Sequence, residues 1–506
     1  MIYTKQKIDA NKMFVLMIFM IPIVVILCSF CNGINGNDFW WHIKVGESIV
    51  KNKIIPTKDI FSWYGIEKGL EWTAHEWLAE VIFYVIYHLF ASLGIFIFSV
   101  SAAILLYLLL WNSAKKYSDT NILFLGLFFL HFGLLTSFFI YGRPHIFSYF
   151  LLFIELNILY GFMENNKSKA IYFIPLLAVL WSNLHGGSSS LSYIICIIFI
   201  IAGISEFSLG RIQSRRLDKK ELVKLIIITF GTLIAIMLNP NGLKMIAYPY
   251  VTLSDSISMK MISEWQAPDA KNIGEIILFF FPVLLMSVGI ISDKRKVQLV
   301  DLLVMLLFIF LFFRSKRFII LWYISAVFYA FKYMPELKVK PITKKYEKIL
   351  LGIVWILLLL PIAASFKNMH AVYKKDMLIS KVMSEEAAGV IKRDSPERLY
   401  NDYNLGEALI YNDIPVFFDS RADMYVQHNI LADGVSLMSL SQMNKSAEKT
   451  YVDVDELINK YRFDAVVILR ERSLYSYIIS HPEQFKLIYE DNDIAYFRIK
   501  TDTENY

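Results

Sequence analysis

Apolar runs of bilayer length recur along the chain, near 13–31, 93–111, 121–140, 146–163, 170–184, 188–206, 224–239, 274–291, 298–313, 318–334 and 349–366. A membrane-crossing helix needs roughly 20 mostly apolar residues, so the pattern predicts about eleven spans. The segment Glu76–Phe90 (EWLAEVIFYVIYHLF) has two readings, an interfacial helix or the beginning of a long second span. From about Asp376 the apolar runs shrink to strand length and charges interleave with them, which predicts a separate water-soluble domain. Within it, DVDELINKYRFDAVVIL reads as a helix followed by a buried strand. LYSYIISHPEQF reads as helical, and KLIYEDNDIAYFRI as a hairpin turning at Asp491-Asn492-Asp493.

Composition agrees with the pattern. Of 506 residues, 56% are hydrophobic and 19% charged, whereas a soluble domain is about a quarter charged. The net charge of +6 is no nucleic-acid signature, because the basic residues fall in short clusters between apolar runs. The three cysteines, Cys28, Cys31 and Cys196, lie in or beside apolar runs and suggest neither a disulfide framework nor a thiolate metal site. Lys5, Lys7 and Lys12 precede the first run as in a signal sequence. No small-residue cleavage pattern follows, so a retained first helix is expected.

Charge also orients the chain. Alternate loops hold the N-terminal lysines, Lys115-Lys116, Lys167 and Lys169, Arg211 to Lys220, Lys294 to Lys296, and Lys338 to Lys348. The positive-inside rule makes that side cytoplasmic. The N-terminus is then inside, the spans are odd in number, and everything after Phe366 is outside. The expected architecture is a mostly α polytopic membrane protein with about eleven spans. Interfacial helices sit in its first outer loop, and a small α/β extracytoplasmic domain follows the spans. The expected boundaries are 1–370 for the membrane domain, with the first outer loop at 32–77, and 376–506 for the outer domain.

Unusual polar residues gather on the outer face. The first outer loop holds Asp38, His42, His75 and Glu76. YGRPHIF contributes Arg143 and His145, and WSNLHGGSSS contributes Asn183 and His185. Glu264 ends the next outer loop, and RSKRF brings Arg314 and Arg317. Arginines at span ends on the side that normally avoids basic residues need a reason to be there. Carboxylates, imidazoles and guanidiniums at one membrane face suit a reaction on a phosphorylated lipid: a carboxylate takes a proton and cations neutralise a leaving phosphate.

Each residue also has a plainer reading. Trp40, Trp41, Trp72, Trp77 and Trp265 resemble an aromatic belt. The Arg-Pro-His run reads as helix punctuation, His185-Gly186-Gly187 as a tight turn, and Asp38 as a cap for the helix beginning at Phe39. Asp419, Arg421 and Asp423 in FDSRADMY read either as a ligand site or, more simply, as a salt-bridged strand end. No phosphate-binding glycine loop, HExxH motif or serine nucleophile elbow occurs.

The stretches DFWWHIKVGESIVKNKIIPTKDIFSW, HEWLAEVIFYVIY, RPHIFSY, NLHGG, NPNG…YPY, EWQAPD and FDSRADMY resemble those of a group of prokaryotic membrane glycosyltransferases. More broadly, the order of one span, a long first outer loop opened by an Asp, many further spans and an outer C-terminal domain resembles the C-type fold. That fold belongs to polyprenyl-phosphate-sugar-dependent integral-membrane glycosyltransferases.

The resemblance implies transfer of a sugar from a polyprenyl-phosphate donor to an envelope glycan, lipid or protein acceptor. The reaction would take place at the outer face of the cytoplasmic membrane, with inversion. Asp38 matches the first-loop acid that activates the acceptor or helps to bind a metal, and Glu76 is the candidate for a second acid. Arg143, His145, Arg314 and Arg317 are the expected phosphate ligands. His42, His75, His185, Asn183 and Glu264 are expected to line the substrate pocket. A divalent metal, Mg or Mn, is admitted but not required, with Asp38, Glu76 and His75 as its candidate ligands. Two other classes stand beside this one: a transporter or flippase of an anionic lipid-linked glycan, for which Asp301 and His131 inside spans are the candidates, and a non-catalytic envelope scaffold or sensor.

Overall fold

The computed structural model describes residues 19–28, 38–116, 122–139, 142–165, 168–269, 271–292, 296–333, isolated positions between 352 and 367, 382–443 and 449–500. The last expected span, 349–366, and the lysines at 338–348 fall almost wholly outside the described residues. The chain divides into two compact units. One comprises Met1–Ile34, Leu93–Val251 and Ile262–Lys374; the other comprises Asn35–Ser92, Thr252–Met261 and Lys375–Tyr506. The first outer loop, grouped by chain order with the membrane domain, thus shares a compact unit with the C-terminal region.

The first unit is helical. Its elements include Ile122–Phe139, His145–Glu164, Ile174–Leu184, Ser190–Ile204, Lys219–Ile236, Ile273–Ser292 and Leu299–Arg314. Their bounds follow the apolar runs closely, because a backbone without water must satisfy its own hydrogen bonds and helices do so within one segment. Trp77–Lys115, His145–Glu164 and Gly186–Ile204 are long and apolar enough to cross a membrane. On Lys219–Ile236, beyond the exposed Lys219 and Lys220 of its first turn, the exposed residues are themselves apolar, Val223, Ile226, Ile227, Phe230 and Ile234. A contiguous apolar face of that kind belongs against lipid rather than water.

Three features depart from the hydropathy reading. The Glu76–Phe90 segment and the second span are two helical stretches that meet at a kink at Ala91, where φ is 50° and ψ is −152°. The run 318–334 is α-helical only over Ile319–Ala326 and continues as turns. A small sheet forms where only loops were expected: Phe207–Leu209 runs antiparallel to Ile212–Ser214, which pairs in parallel with Val297–Gln298.

In the second unit the C-terminal region carries a four-stranded mixed sheet. Its order is Leu399–Asn401, Ala465–Leu469, Ile494–Ile499, Phe485–Glu490, with the first pair parallel and the others antiparallel. The hairpin turns where expected. The Asp491 carboxylate accepts the backbone N–H groups of Asp493 and Ile494, at 2.9 and 2.8 Å, which builds the turn locally. Asp453 caps the Val454–Tyr461 helix by accepting the N–H of Glu456. The first-loop segment packs on this domain. Trp63 donates its backbone N–H to Val416 and its indole N–H to Leu399, each at 2.9 Å, and Arg398 pairs with Glu67 at 2.8 Å.

Candidate active site

Each unit gathers its own set of the polar residues. In the first unit the chain enters the His145–Glu164 helix through Gly142, at φ 45°, and Pro144. Pro tolerates a helix start because it has no N–H to leave unpaired. The punctuation reading of Arg-Pro-His therefore holds, and the same turn also presents two functional side chains. Arg143 Nη1 pairs with Glu264 Oε2 at 2.7 Å. His145 Nε2 accepts from Arg317 Nε, so His145 is an imidazole whose Nε2 carries no proton. The Arg317 guanidinium lies 5.3 Å from the Trp265 ring centroid, a cation–π contact.

Backbone bonds tie the two supplying segments together. Glu264 O accepts the N–H of Arg317 and the hydroxyl of Ser315, both at 3.1 Å, and Gln266 O accepts the N–H of Lys316 at 3.0 Å. His185 continues the cluster. Its ring lies 4.3 Å from that of His145, and its Nδ1 is 2.6 Å from Ser148 Oγ and 2.8 Å from Ser188 Oγ. Trp181 donates its indole N–H to Ser148 Oγ at 2.7 Å. Arg314 is exposed at the last position of the Leu299–Arg314 helix. Asn183 donates to the carbonyls of Val179 and Leu238 at 2.8 and 2.9 Å. These bonds give it a fold-holding role.

In the second unit Asp38 occupies the N-cap position of the Phe39–Asn52 helix, yet its side chain makes no capping bond. The capping reading is thus set aside. His42, one turn further on, is buried. Its Nδ1 lies 3.3 Å from Glu80 Oε1 and its Nε2 3.8 Å from Glu76 Oε2. His75 Nε2 lies 3.3 Å from Glu76 Oε1. Burial opposes protonation of His75, but the neighbouring Glu76 carboxylate prevails and raises its pKa. Metal-ligand candidates therefore group here as His42, Glu76 and Glu80, a different set from Asp38, Glu76 and His75.

Glu407 was not singled out in the sequence. It is 1% exposed, and its Oε1 accepts the N–H of Ser420 at 2.9 Å. Burial first, then the charges of Asp38 and Asp419, push its pKa up to about 8. The one available signal was an acid inside the apolar run GEALIY. For Glu80 the available signal is its spacing, one helical turn from Glu76.

FDSRADMY proves to be a buried ion-pair centre. Arg421 pairs with Asp59 at 2.9 Å and with Asp419 at 2.6 Å, and its guanidinium lies 4.8 Å from the Trp72 ring centroid. The plainer of its two readings is the one realised. Trp40, Trp41 and Trp72 are 3%, 7% and 4% exposed, so they are core residues of this unit and not a belt.

No protein-family model matches the chain, and no curated protein matches it. Among solved structures it is similar to the archaeal oligosaccharyltransferase AglB from Archaeoglobus fulgidus in complex with an inhibitory peptide and a dolichol-phosphate. The TM-score is 0.55 at 11% identity, over 91% of this chain and 70% of that one. The apo form of the Archaeoglobus fulgidus oligosaccharyltransferase matches with a TM-score of 0.52 at the same identity and coverage. The likeness is one of fold, shared with these archaeal oligosaccharyltransferase structures.

Proposed function

We propose that this chain is a multi-pass glycosyltransferase of the cytoplasmic membrane, with its N-terminus inside and its C-terminal domain outside. It takes a sugar from a polyprenyl-phosphate donor and passes it, with inversion, to an acceptor at the outer face. The observation that carries this reading is the convergence of Arg143, His145, Glu264 and Arg317 from three separated segments. The likeness of fold to an enzyme solved with dolichol-phosphate supports it. Fold alone would not, since one fold hosts many chemistries.

The acceptor hydroxyl oxygen attacks the anomeric carbon from the face opposite the phosphate. The bond from that carbon to the phosphate oxygen breaks, and its electron pair leaves with the lipid phosphate. Asp38 takes the hydroxyl proton. Arg143 and Arg317 steady the growing phosphate charge, with Arg314 at the helix end just before Arg317 in sequence. Glu264 and His145 hold the two guanidiniums in place, and His185 fixes His145 through ring contact. A neutral Glu407 spares Asp38 a second buried negative charge beside it. Glu76, His75 and His42 stand behind Asp38 as positioning groups.

Loss of the base or of one phosphate clamp costs about a hundredfold or more in rate. The test compares lipid-linked sugars and envelope glycans by mass spectrometry in cells with the wild-type protein, without it, and with Asp38→Asn or Arg317→Ala. Accumulation of a polyprenyl-phosphate sugar in the last three supports the reading and names the donor. A folded Asp38→Asn protein with full transfer activity removes Asp38 from the mechanism. Identical lipid pools with and without the protein would sink the enzyme reading.

A further inference from the structure

His42, Glu76 and Glu80 each offer one ligand atom, and these atoms lie within 4.8 Å of one another. The side chains come from two helix beginnings. His42 stands in the first turn of Phe39–Asn52, Glu80 in the first turn of Trp77–Lys115, and Glu76 immediately before the latter. All three are buried, at 2%, 5% and 1% exposure for His42, Glu76 and Glu80. Two carboxylates that close and that buried repel each other strongly unless a cation lies between them or one of them holds a proton.

An imidazolium at His42 would be the simplest cation, but it leaves the site incompletely satisfied. Its Nε2 stands 3.8 Å from Glu76, too far for a hydrogen bond. Glu80 Oε2 is buried with no hydrogen-bond partner, although the other oxygen of that carboxylate faces His42. A buried carboxylate oxygen left in that condition costs about 1–3 kcal/mol or more.

We infer that His42, Glu76 and Glu80 form a site for a first-row divalent cation of the zinc or manganese type. One imidazole and two carboxylates supply three ligands, with room for a water, and neutralise the ion's two charges. Mixed nitrogen and oxygen donors suit zinc and manganese. Calcium and magnesium prefer all-oxygen or largely hydrated surroundings. When one His42 nitrogen binds the ion, the other donates to a carboxylate oxygen, and His75 orients Glu76 from outside. The ion pins the beginnings of the two helices together and thereby fixes the turn that carries Asp38. It does not depend on which reaction Asp38 serves.

The test uses the full-length protein, purified in detergent with a tag free of histidine and without chelators. Elemental analysis is expected to find about one zinc or manganese ion per chain. Chelation lowers the thermal midpoint, and added Zn²⁺ or Mn²⁺ restores it where Mg²⁺ does not. His42→Ala and Glu80→Gln each reduce the bound metal at least tenfold. These variants can fail to fold, so the wild-type chelation and add-back experiment decides the matter alone. A wild-type protein that holds no metal, and whose midpoint ignores both chelator and added ions, overturns the site in favour of a proton on the imidazole or on a carboxyl. A folded double variant that keeps its metal overturns it as well.

Discussion

Glu407 and Arg421 show what burial does to single charges. With its pKa raised to about 8, Glu407 holds a proton in the folded chain over a range where the unfolded chain has lost it. The folded state binds more protons between the ordinary glutamate value of 4.5 and about 8, so stability falls as pH rises through that window. Glu407→Gln imitates the protonated acid and keeps an oxygen for the Ser420 N–H. The variant is therefore expected to lose this alkaline decline and to be a few kcal/mol more stable than wild type near pH 8. Thermal midpoints measured from pH 5 to 8.5 check this; parallel curves for the two proteins would refute it. Arg421 is the opposite case. Arg421→Ala leaves Asp59 and Asp419 buried without their cation, at a cost of about 3–5 kcal/mol. A thermal midpoint within a degree or two of wild type would contradict that role.

Among the elements, the informative places are those where helices come closest or bend. Gly46 lies against the next helix so tightly that an added Cβ would sit 2.1 Å from Glu80 O and 2.7 Å from Tyr84 Cβ. Gly46→Ala must push the Phe39–Asn52 helix away, one turn beyond His42. It is expected to destabilise the protein by about 1–3 kcal/mol and to weaken metal retention with it. A stable Gly46→Ala protein with undiminished metal would uncouple that close approach from the site. At Ala91 the positive φ is a conformation that costs an L-residue energy. Ala91→Gly relieves that cost, with a gain of about 1 kcal/mol expected, and Ala91→Val increases it. Unfolding midpoints for the pair should move in opposite directions. The bend itself was not legible in the sequence, because EVIFYVIYHLFASLGIFIF is evenly apolar and contains neither Pro nor a Gly at the bend.

For the molecule as a whole, the proposed orientation rests on where the lysines and arginines fall. Ser480 is exposed in the C-terminal region. With the native cysteines replaced, Ser480→Cys should react with a membrane-impermeant maleimide in cells whose cytoplasmic membrane is intact. Labelling only after that membrane is opened would reverse the topology and exclude the outer-face mechanism. The division into two units also alters how the site is read. Asn35–Ser92 and Lys375–Tyr506 cluster together although the long apolar region separates them in the chain. Glu407 and Asp38 therefore came from segments that no local reading would have joined.

Apolar runs, alternating loop charge and the turn chemistry at Asp491 were decided by the chain alone, because each depends on neighbours a few residues away. The helices of the first unit accordingly follow their runs to within a few residues, and the hairpin closes where its Asp-Asn-Asp turn lies. The partners of side chains far apart in sequence were decided only by tertiary structure. Burial turned three tryptophans from an anchor belt into core. Packing set Asn183 against the backbone of Val179 and Leu238, made Arg421 an ion-pair centre, and brought Glu80 to His42. Periodicity encodes which face of an element is apolar, but not which other element covers that face. A charge keeps its identity wherever it falls in the chain; its chemistry depends on what the fold sets against it.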